Sequence, residues 1–392
     1  MCERRPPEVL AQPVWSIAPL FTREDLGRED VMNHNPCLDP PPFFQAQIAA
    51  HADPRALPGL VARVDAQGCS LLTRAGPLRA RLPKRVARKT PPVVGDWVLV
   101  REDGGELRIR RVLERRTSLT RRAAGGDGRA QVLAANLDLV LVTCGLDSDF
   151  KLGRIERWLS LVHEGGAQPI VLLTKAGLVD EALRAERLAA AKNVALDVEV
   201  LALDVLAGIG LEAFDRALEH GRTLAFVGSS GVGKSTLVNY LSGLDSGSGS
   251  GPVMATGSVS AAHGKGRHTT SHRELLYLPG RGKLVIDTPG LREVGLWGEG
   301  QGLDLTFAEV AEVARRCRFS DCAHDSEPGC AVREAVDAGT LDPRRVDARA
   351  RLADEQAATA RRASEHARRD YERGFAKHVR RALKDKQRRR GG

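Results

Sequence analysis

The chain has 392 residues, of which 42% are hydrophobic and 28% charged, and this is the composition of a folded globular protein with two or three domains. No run of about 18 apolar residues occurs and the N-terminus lacks the pattern of a signal peptide, so neither a membrane span nor secretion is expected. Seven cysteines are too few for a disulfide scaffold of this length, which favours a reducing cytoplasm.

The net charge of +9 is concentrated at the C-terminal end of the chain. Residues 343–392 contain 17 basic and 7 acidic residues, whereas residues 1–342 carry a net charge of −1. Such a basic arm is expected to bind a polyanion such as RNA, and the low aromatic content of 4% favours contact with backbone phosphates over base stacking. A solvated helical face is the alternative interpretation.

The first 120 residues contain two differently patterned segments. Residues 1–55 show no sustained periodicity and include three consecutive prolines, so a disordered extension is predicted. Residues 56–120 contain about five short alternating runs separated by Gly and Pro, which predicts a small β-barrel. A basic connecting loop in this barrel favours RNA binding, through Arg79, Arg81, Lys84, Arg85, Arg88 and Lys89.

Residues 121–298 alternate apolar strands with helical segments, which predicts a parallel sheet with crossover helices. Strands are predicted at 137–144, 169–173, 198–203, 224–227 and 283–286. Residues 299–392 are predicted to form helices around a Cys/His cluster, followed by the basic arm.

The strand predicted at 169–173 is followed by Thr174, Lys175, Ala176 and Gly177, which fit three of the four positions of the guanine-binding motif [NT]-K-x-D. Gly177 replaces the aspartate that would accept from guanine N1–H and N2–H. A hydrogen bond to a charged group contributes about 1.5–3 kcal/mol. Guanine selectivity is therefore expected to be weaker by about one or two orders of magnitude.

Two further features of the sequence concern recognition of the nucleotide base. Asp180 follows the first motif by three residues, which is the wrong spacing for a substitute carboxylate. The segment 204–211 resembles the base-side loop S-A-x-x-G-x-G-L, with Asp204 and Val205 in place of Ser and Ala. Both base-side elements therefore depart from their patterns.

A phosphate-binding pattern, G-x-x-x-x-G-K-[ST], lies between an apolar strand and a helix-forming segment. Its glycines let backbone N–H groups face phosphates, and the helix N-terminus adds its positive end. Lys234 is expected to contact the β- and γ-phosphates and Ser235 to bind Mg²⁺. The predicted nucleotide-binding residues are Gly228, Ser229, Ser230, Gly231, Val232, Gly233, Lys234, Ser235 and Thr236.

A second phosphate-side element, D-T-P-G, begins at Asp287 directly after a predicted strand. Asp287 is expected to hold Mg²⁺ through water, and the N–H of Gly290 to meet the γ-phosphate. The polar, glycine-rich stretch 264–270 is typical of a switch loop, in which Thr270 is favoured over Thr269 as a Mg²⁺ ligand.

Leu291 stands where many GTPases have a glutamine that orients the attacking water. Unassisted turnover is therefore expected to be slow. His268 is the nearest group in sequence that can polarise water. The alternative is that His268 is a structural loop residue.

The order of these motifs along the chain is unusual. The base-side motifs precede the phosphate loop, whereas an ordinary GTPase runs the other way. A circular permutation explains this order, because it leaves the neighbours of each strand unchanged. Movement of residues 287–291 on hydrolysis would then act directly on the C-terminal domain.

The spacing Cys317-x4-Cys322-x-His324-x5-Cys330 places three thiols and one imidazole within fourteen residues. Three cysteines and one histidine with no open position indicate a structural Zn²⁺ site in a reducing compartment. Free buried cysteines or an iron–sulfur cluster are the alternatives.

A barrel, a permuted GTPase and a Cys3His domain together resemble the ribosome small-subunit-dependent GTPase A family (RsgA, also called YjeQ). Matching stretches lie at 95–98, 228–236, 266–270, 287–290 and 317–330, and the resemblance covers roughly residues 58–380. It implies an OB-fold for the barrel, late maturation of the small ribosomal subunit as the role, and hydrolysis stimulated by that subunit. It also implies that His268 is catalytic in place of the usual glutamine.

The expected protein is a monomeric GTPase that binds GTP with Mg²⁺, one Zn²⁺, and the small subunit with its 16S rRNA. Gly177 and Asp204-Val205 put strict guanine specificity in doubt, so a nucleotide hydrolase that also accepts ATP is a first alternative. An RNA-binding assembly factor that uses nucleotide only as a conformational switch is a second.

Overall fold

The computed structural model of the chain describes residues 38–51, 53–123, 130–243, 273–287 and 295–365. The N-terminal part is an antiparallel sheet with the strand order β3-β2-β1-β4-β5. Its strands are β1 (Leu57–Asp65), β2 (Gly68–Thr73), β3 (Gly76–Ala80), β4 (Trp97–Asp103) and β5 (Glu106–Val112).

This sheet closes on itself through Arg81, which follows β3. The Arg81 N–H donates to Leu107 O at 2.8 Å, and Ile109 N–H donates to Arg81 O at 3.0 Å. The pairing between Arg81 and Arg108 is parallel, unlike the other strand pairs of the sheet. The interior is filled by apolar side chains that point inward from each strand: Val61, Cys69, Leu71, Ala80, Val98, Val100 and Ile109.

Helix α1 (Pro42–Ala49) packs on the outside of the barrel. Phe44 is buried, and its ring centroid lies 5.9 Å from that of Trp97. The prediction of disorder for residues 1–55 is wrong for this helix, because Pro42 at its first turn favours helix initiation and the aromatic contact removes apolar area from water. Residues 1–37 lie outside the described residues.

A hairpin of β6 (Ser118–Arg122) and β7 (Ala130–Ala135) follows the barrel and was not predicted. The predicted domain limit between residues 120 and 121 falls inside β6. Ser118 N–H donates to Gly165 O at 2.9 Å, so the hairpin is attached to the segment after helix α3 (Leu152–Glu164).

The central sheet has six strands in the order β10-β9-β8-β11-β13-β12. They are β8 (Leu139–Gly145), β9 (Gln168–Thr174), β10 (Glu199–Ala202), β11 (Thr223–Gly228), β12 (Glu274–Leu278) and β13 (Lys283–Asp287). The five predicted strands are all present. The edge strand β12 was not predicted, and it is antiparallel because only a short turn, Pro279–Arg281, joins it to β13.

Helices cover both faces of this sheet, as the alternation of side chains along a strand requires. Leu139 and Leu141 of β8 pack with α5 (Leu211–Ala217) and α6 (Lys234–Leu241). Val140 and Val142 of the same strand face the opposite side, where α3 and α4 (Glu181–Val194) pack. β11 lies between β8 and β13, so its carboxyl end opens at the middle of the sheet.

Around Gly95-Asp96, part of the stretch that matched the family pattern, the barrel is joined to the end of β7 and to the residue that follows it. Ala135 N–H donates to Val94 O at 3.0 Å, and the Asn136 amide donates to Gly95 O at 2.9 Å. A Cβ at Gly95 would lie 2.1 Å from Ala135 O, so only glycine permits this approach.

Asp96, next to this junction, is fully buried. Its carboxylate accepts from Arg115 Nε at 2.8 Å and Nη2 at 2.9 Å and from Val93 N–H at 2.7 Å. Burial raises the pKa of Asp96, and the hydrogen bonds from Arg115 partly offset that shift. The aspartate of this stretch is therefore structural: it fixes the entry to β4.

The C-terminal part consists of α7 (Gln301–Thr306), α8 (Ala308–Ala314), α9 (Ala331–Asp337) and α10 at residues 343–365. Helix α7 packs closely on α3, since a Cβ at Gly302 would lie 2.1 Å from Ser160 O. Among the described residues, no helix combines the length and apolarity needed to cross a membrane.

Arg345 of α10 is a buried cation at the contact between the C-terminal helices and the central domain. Its guanidinium donates to Glu156 Oε1 and Glu309 Oε1, each at 2.6 Å, and to Thr306 O at 2.7 Å. Burial raises the pKa of Glu156, and the Arg345 guanidinium opposes that shift. This basic residue of the arm is therefore structural, which differs from its expected role in RNA binding.

Arg345→Met is expected to lower the free energy of unfolding by about 3–5 kcal/mol, because it leaves the Glu156 carboxylate buried without its cation. Urea denaturation followed by circular dichroism measures the change. The adjacent Arg344→Met is the matched control, since the Arg344 side chain is 91% exposed. Adding Glu156→Gln should recover part of the loss; no recovery would contradict the assignment of the cost to an unpaired carboxylate.

Candidate nucleotide-binding site and metal cluster

The predicted phosphate loop connects the carboxyl end of β11 to the first turn of α6. Gly228 has φ +142°, and a Cβ there would lie 2.2 Å from Thr143 O of β8. Gly233 has φ +105° and forms the N-cap of α6. The path of the loop thus requires glycine at both ends, and it directs the N-terminus of α6 toward the loop.

Lys234, the first residue of α6, extends its side chain back across the loop. Its Nζ donates to Gly228 O at 3.0 Å and to Ser229 O at 2.6 Å. Ser235 and Thr236 follow in the first turn and are partly buried. The ammonium group and the first-turn hydroxyls therefore lie beside the backbone that the sequence pattern assigns to phosphate binding.

Thr174 connects the base-side motif to the phosphate loop. At the carboxyl end of β9, its Oγ1 donates to Val232 O at 2.6 Å. Strand β8 lies between β9 and β11, so this hydrogen bond connects the carboxyl ends of two strands that are not direct neighbours. The base-side motif at 174–177 and the phosphate loop at 228–236 therefore contact each other in the fold, although they are far apart in the sequence.

Lys175 is in the left-handed region, with φ 61°, and its Nζ donates to Asp147 Oδ2 at 2.7 Å. Burial raises the pKa of Asp147, but hydrogen bonds from Lys175 and from the backbone outweigh it and leave the pKa below its usual value. Asp147 thus holds the Lys175 side chain in place at this edge of the sheet.

Asp149 contacts the phosphate loop and was missed by the sequence analysis. It accepts from Ser229 Oγ at 2.5 Å and from the Arg154 guanidinium. Burial raises the pKa of Asp149, and the Ser229 and Arg154 hydrogen bonds more than compensate, so the pKa is lowered. Its only signal in the sequence is its place after the carboxyl end of β8, where loops of a parallel sheet meet ligands.

The second base-side loop folds against the first. Gly177 N–H donates to Asp204 Oδ2 at 3.1 Å. Asp180 caps α4, accepting from Leu183 N–H at 2.8 Å, so its carboxylate has a structural role.

Several predicted site residues lie outside the described residues: His268, Thr269, Thr270 and Gly290. The backbone of Asp287 ends β13. Because β13 pairs in parallel with β11, its carboxyl end lies at the same edge of the sheet as the phosphate loop.

The ligand atoms of Cys317, Cys322, His324 and Cys330 all lie within 4.8 Å of one another. Cys317 Sγ is 4.0 Å from Cys330 Sγ, and His324 Nδ1 is 3.6 Å and 3.5 Å from these two sulfurs. In a tetrahedral site with Zn–S of about 2.3 Å, neighbouring ligand atoms are about 3.5–3.8 Å apart. The cluster is therefore compatible with a zinc site.

Glu327 organises the loop between the last two ligands of this cluster. Its carboxylate accepts from the N–H groups of Ala323 at 2.8 Å, Asp325 at 3.0 Å and Ser326 at 3.1 Å. These backbone hydrogen bonds, led by that from Ala323, lower the pKa of Glu327 to about 2. The loop is thus fixed by an ionised carboxylate that the sequence analysis missed.

The basic stretch of the barrel is not one loop. Arg79 of β3 pairs with Asp65 at 2.6 Å and Arg81 with Glu106 at 2.9 Å. The hydrogen bond from Arg79 lowers the pKa of Asp65 to about 2. The other four residues lie on helix α2 (Lys84–Lys89), where all of them are exposed: Lys84, Arg85, Arg88 and Lys89.

Comparison with known sequences identifies the same family along most of the chain. The RsgA GTPase family model matches residues 112–297. "Small ribosomal subunit biogenesis GTPase RsgA" of Opitutus terrae is 45% identical over 336 residues, which are 82% of this chain and 89% of that protein. The protein of the same name from Streptomyces coelicolor is 43% identical over 333 residues, 83% of this chain and 88% of its own length.

Two solved structures share the fold. YjeQ from Thermotoga maritima superposes with a TM-score of 0.57 at 23% identity, covering 76% of this chain and 97% of that one. YloQ, described as a circularly permuted GTPase, superposes with a TM-score of 0.53 at 23% identity, covering 78% and 98%. The fold is therefore that of a circularly permuted GTPase, as the motif order predicted.

Proposed function

Since the chain belongs to the RsgA GTPase family, we propose that it hydrolyses GTP during late maturation of the small ribosomal subunit and that the subunit stimulates this reaction. The structural observation that carries the nucleotide-binding part of this proposal is the hydrogen bond from Thr174 Oγ1 to Val232 O. It unites a base-side motif with a phosphate loop at one edge of a permuted sheet, as a guanine-nucleotide site requires.

In the proposed site, the backbone N–H groups of residues 228–236 and the Lys234 ammonium bind the β- and γ-phosphates. Thr174, Lys175, Ala176 and Gly177 line the base side, and Asp287 and Gly290 face the γ-phosphate. Mg²⁺, held by Ser235 and Thr270, would supply positive charge to the phosphate oxygens.

His268 is proposed to polarise the attacking water in place of the glutamine that Leu291 replaces. An imidazole polarises water only from a fixed position beside the γ-phosphate. We propose that the small subunit places His268 in this position, so that hydrolysis is slow in its absence.

The barrel is proposed to be an OB-fold. Closure between β3 and β5 gives the cyclic strand order 1-2-3-5-4, and α2 lies between β3 and β4. These features support a five-stranded Greek-key barrel of the kind that binds oligonucleotides. The proposed domains are the barrel, which begins at residue 56, the GTPase domain, which ends at residue 298, and the zinc domain at 299–392. The limit between the barrel and the GTPase domain is placed before β6 instead of between residues 120 and 121.

The metal cluster is proposed to hold one structural Zn²⁺ through Cys317, Cys322, His324 and Cys330. The distances between the ligand atoms support four-coordinate binding. The ion would stabilise a loop-rich segment that has little apolar core of its own.

We propose that the protein acts in the reducing cytoplasm, where small subunits mature, and that it is a monomer.

We propose that α2 contacts RNA of the small subunit, including the 16S rRNA, through backbone phosphates. Arg85→Gln with Arg88→Gln should weaken subunit binding and reduce the slope of log K against log[salt] by about 1–2, because each lost phosphate contact releases about one counterion fewer. Sedimentation with purified subunits over a salt series measures this slope. Lys192→Gln with Arg216→Gln, two exposed cations on α4 and α5, is the matched control. Equal slopes for the two double variants would exclude α2 from the interface.

Gly177 favours one other function, a nucleotide hydrolase that accepts ATP as well as GTP. Turnover of GTP and ATP by the full chain, with and without purified small subunits, distinguishes these two functions and the use of nucleotide as a switch only. Subunit-stimulated hydrolysis of GTP in preference to ATP supports the proposed function. Comparable stimulated rates with both nucleotides would support the relaxed hydrolase, and negligible turnover with subunits would leave nucleotide as a switch only.

A further inference from the structure

The carboxylate of Asp204 lies beside the position at which the base-side motif lacks its own. Asp204 follows β10, and its Oδ2 accepts from Gly177 N–H at 3.1 Å. A Cβ built on Gly177 would lie 3.2 Å from Asp204 Oδ2 and 3.6 Å from Asp204 Cγ. The space where a side chain of residue 177 would begin therefore borders directly on another carboxylate.

This carboxylate is held in place by its own loop. Asp204 Oδ1 accepts from Leu206 N–H at 3.0 Å and from Ala207 N–H at 3.1 Å. The loop is also closed by two backbone hydrogen bonds of 2.9 Å between Asp204 and Ile209. Because these bonds fix the group before any ligand arrives, little conformational entropy is lost when it accepts a further hydrogen bond.

One acceptor position of the carboxylate remains after these contacts. An ionised carboxylate offers about four lone-pair sites on its two oxygens. Leu206 and Ala207 use two sites on Oδ1, and Gly177 uses one on Oδ2. Oδ2, the oxygen nearer to the missing side chain, can therefore accept one more N–H.

We propose that Asp204 supplies the guanine-reading carboxylate that Gly177 cannot, and that Oδ2 accepts from the 2-amino N–H of the base. The proposal rests on the proposed GTPase function. It assigns specificity to a residue at the position where the base-side loop pattern has serine. Adenine has no amino group at C2, and xanthine has an oxygen there, so this acceptor favours guanine over both.

The same geometry predicts that an aspartate at position 177 alone does not improve GTP binding. Its Cβ would lie 3.1 Å from Ala207 Cβ, and its carboxylate would stand beside that of Asp204. Two neighbouring carboxylates repel each other. Gly177→Asp should therefore improve GTP binding only in combination with Asp204→Ser.

The test is a set of competition titrations on the full chain with a fluorescent GDP, using GTP, XTP and ATP as competitors. Asp204→Asn should weaken GTP about 10- to 100-fold, since a charged hydrogen bond is lost. It should also improve XTP relative to GTP, because the amide can donate to the 2-oxo group of xanthine. Asp180→Asn, which removes a carboxylate used as a helix cap, is the matched control and should leave the GTP/XTP ratio unchanged.

A purely structural role of Asp204 would weaken GTP, XTP and ATP by a common factor, and this result would overturn the proposal. The double variant Gly177→Asp with Asp204→Ser gives a second, independent readout. It should bind GTP more tightly than Asp204→Ser alone and restore the preference over XTP; failure to do so contradicts a shared carboxylate position.

Wild-type measurements distinguish failure of this inference from failure of the proposed function. If wild type prefers GTP over ATP and Asp204→Asn leaves the GTP/XTP ratio unchanged, the inference is wrong and the GTPase function stands. If wild type binds GTP and ATP equally, guanine recognition itself is absent, and both the inference and the proposed preference for GTP are overturned.

Discussion

Lys234→Ala should lower GTP turnover by about 100-fold or more, because the γ-phosphate loses the positive charge that stabilises it in the transition state. Ser235→Ala should have a similar effect, since it removes a proposed Mg²⁺ ligand. Both residues lie in the first turn of α6, beside the phosphate loop. Single-turnover hydrolysis of GTP in the presence of small subunits measures the loss.

Lys192→Ala is the matched control for this prediction, because Lys192 is an exposed lysine near the end of α4. Because the barrel belongs to a different sheet, these substitutions should leave its fold unchanged. The far-ultraviolet circular dichroism of all variants should therefore match that of wild type. Turnover of Lys234→Ala at the wild-type rate would remove the assignment of the phosphate loop.

Cys317→Ser and Cys330→Ser should each release zinc and unfold the cluster loop. Metal binding in such sites is folding free energy, with apparent values of about 10–16 kcal/mol for small zinc domains. Because α7 packs on α3 and Arg345 pairs with Glu156, the loss should also lower the thermal stability of the whole chain. Metal analysis and limited proteolysis of the segment after residue 300 measure both effects.

Nucleotide binding should survive these cysteine substitutions within a few-fold, since the phosphate loop and Thr174 lie at the edge of the central sheet. Cys2→Ser is the control, because Cys2 is an isolated cysteine outside the proposed ligand set. Stoichiometric zinc retained in both ligand variants would contradict four-ligand binding.

The positions of five central strands and their parallel arrangement could be predicted because parallel strands appear as continuous apolar runs. The permutation could be predicted from the order of the motifs alone. The antiparallel strand β12 could not, since Glu274–Leu278 has no feature that distinguishes an edge strand from a neighbouring buried one. Helix α1 was missed because three prolines suggested disorder, although Pro42 also suits a first helical turn.

The candidate site was predictable where a short motif encodes it. The phosphate loop and the cysteine spacing are of this kind, because backbone path and ligand geometry restrict neighbouring positions. Asp149, Asp204 and Glu327 act through contacts with residues that no local pattern specifies. Arg345 was assigned to an RNA-binding basic arm, since sequence alone does not show that Glu156 and Glu309 meet it in the fold.

The most direct test of the proposed function is the single-turnover rate of GTP hydrolysis with and without purified small ribosomal subunits, for wild type and His268→Ala. We expect slow hydrolysis by wild type alone and strong acceleration by subunits. His268→Ala should retain its affinity for GTP but lose most of the acceleration, because a methyl group cannot polarise water. If subunits do not accelerate the wild type, subunit-controlled GTP hydrolysis is contradicted; if they accelerate His268→Ala equally, the histidine is not catalytic.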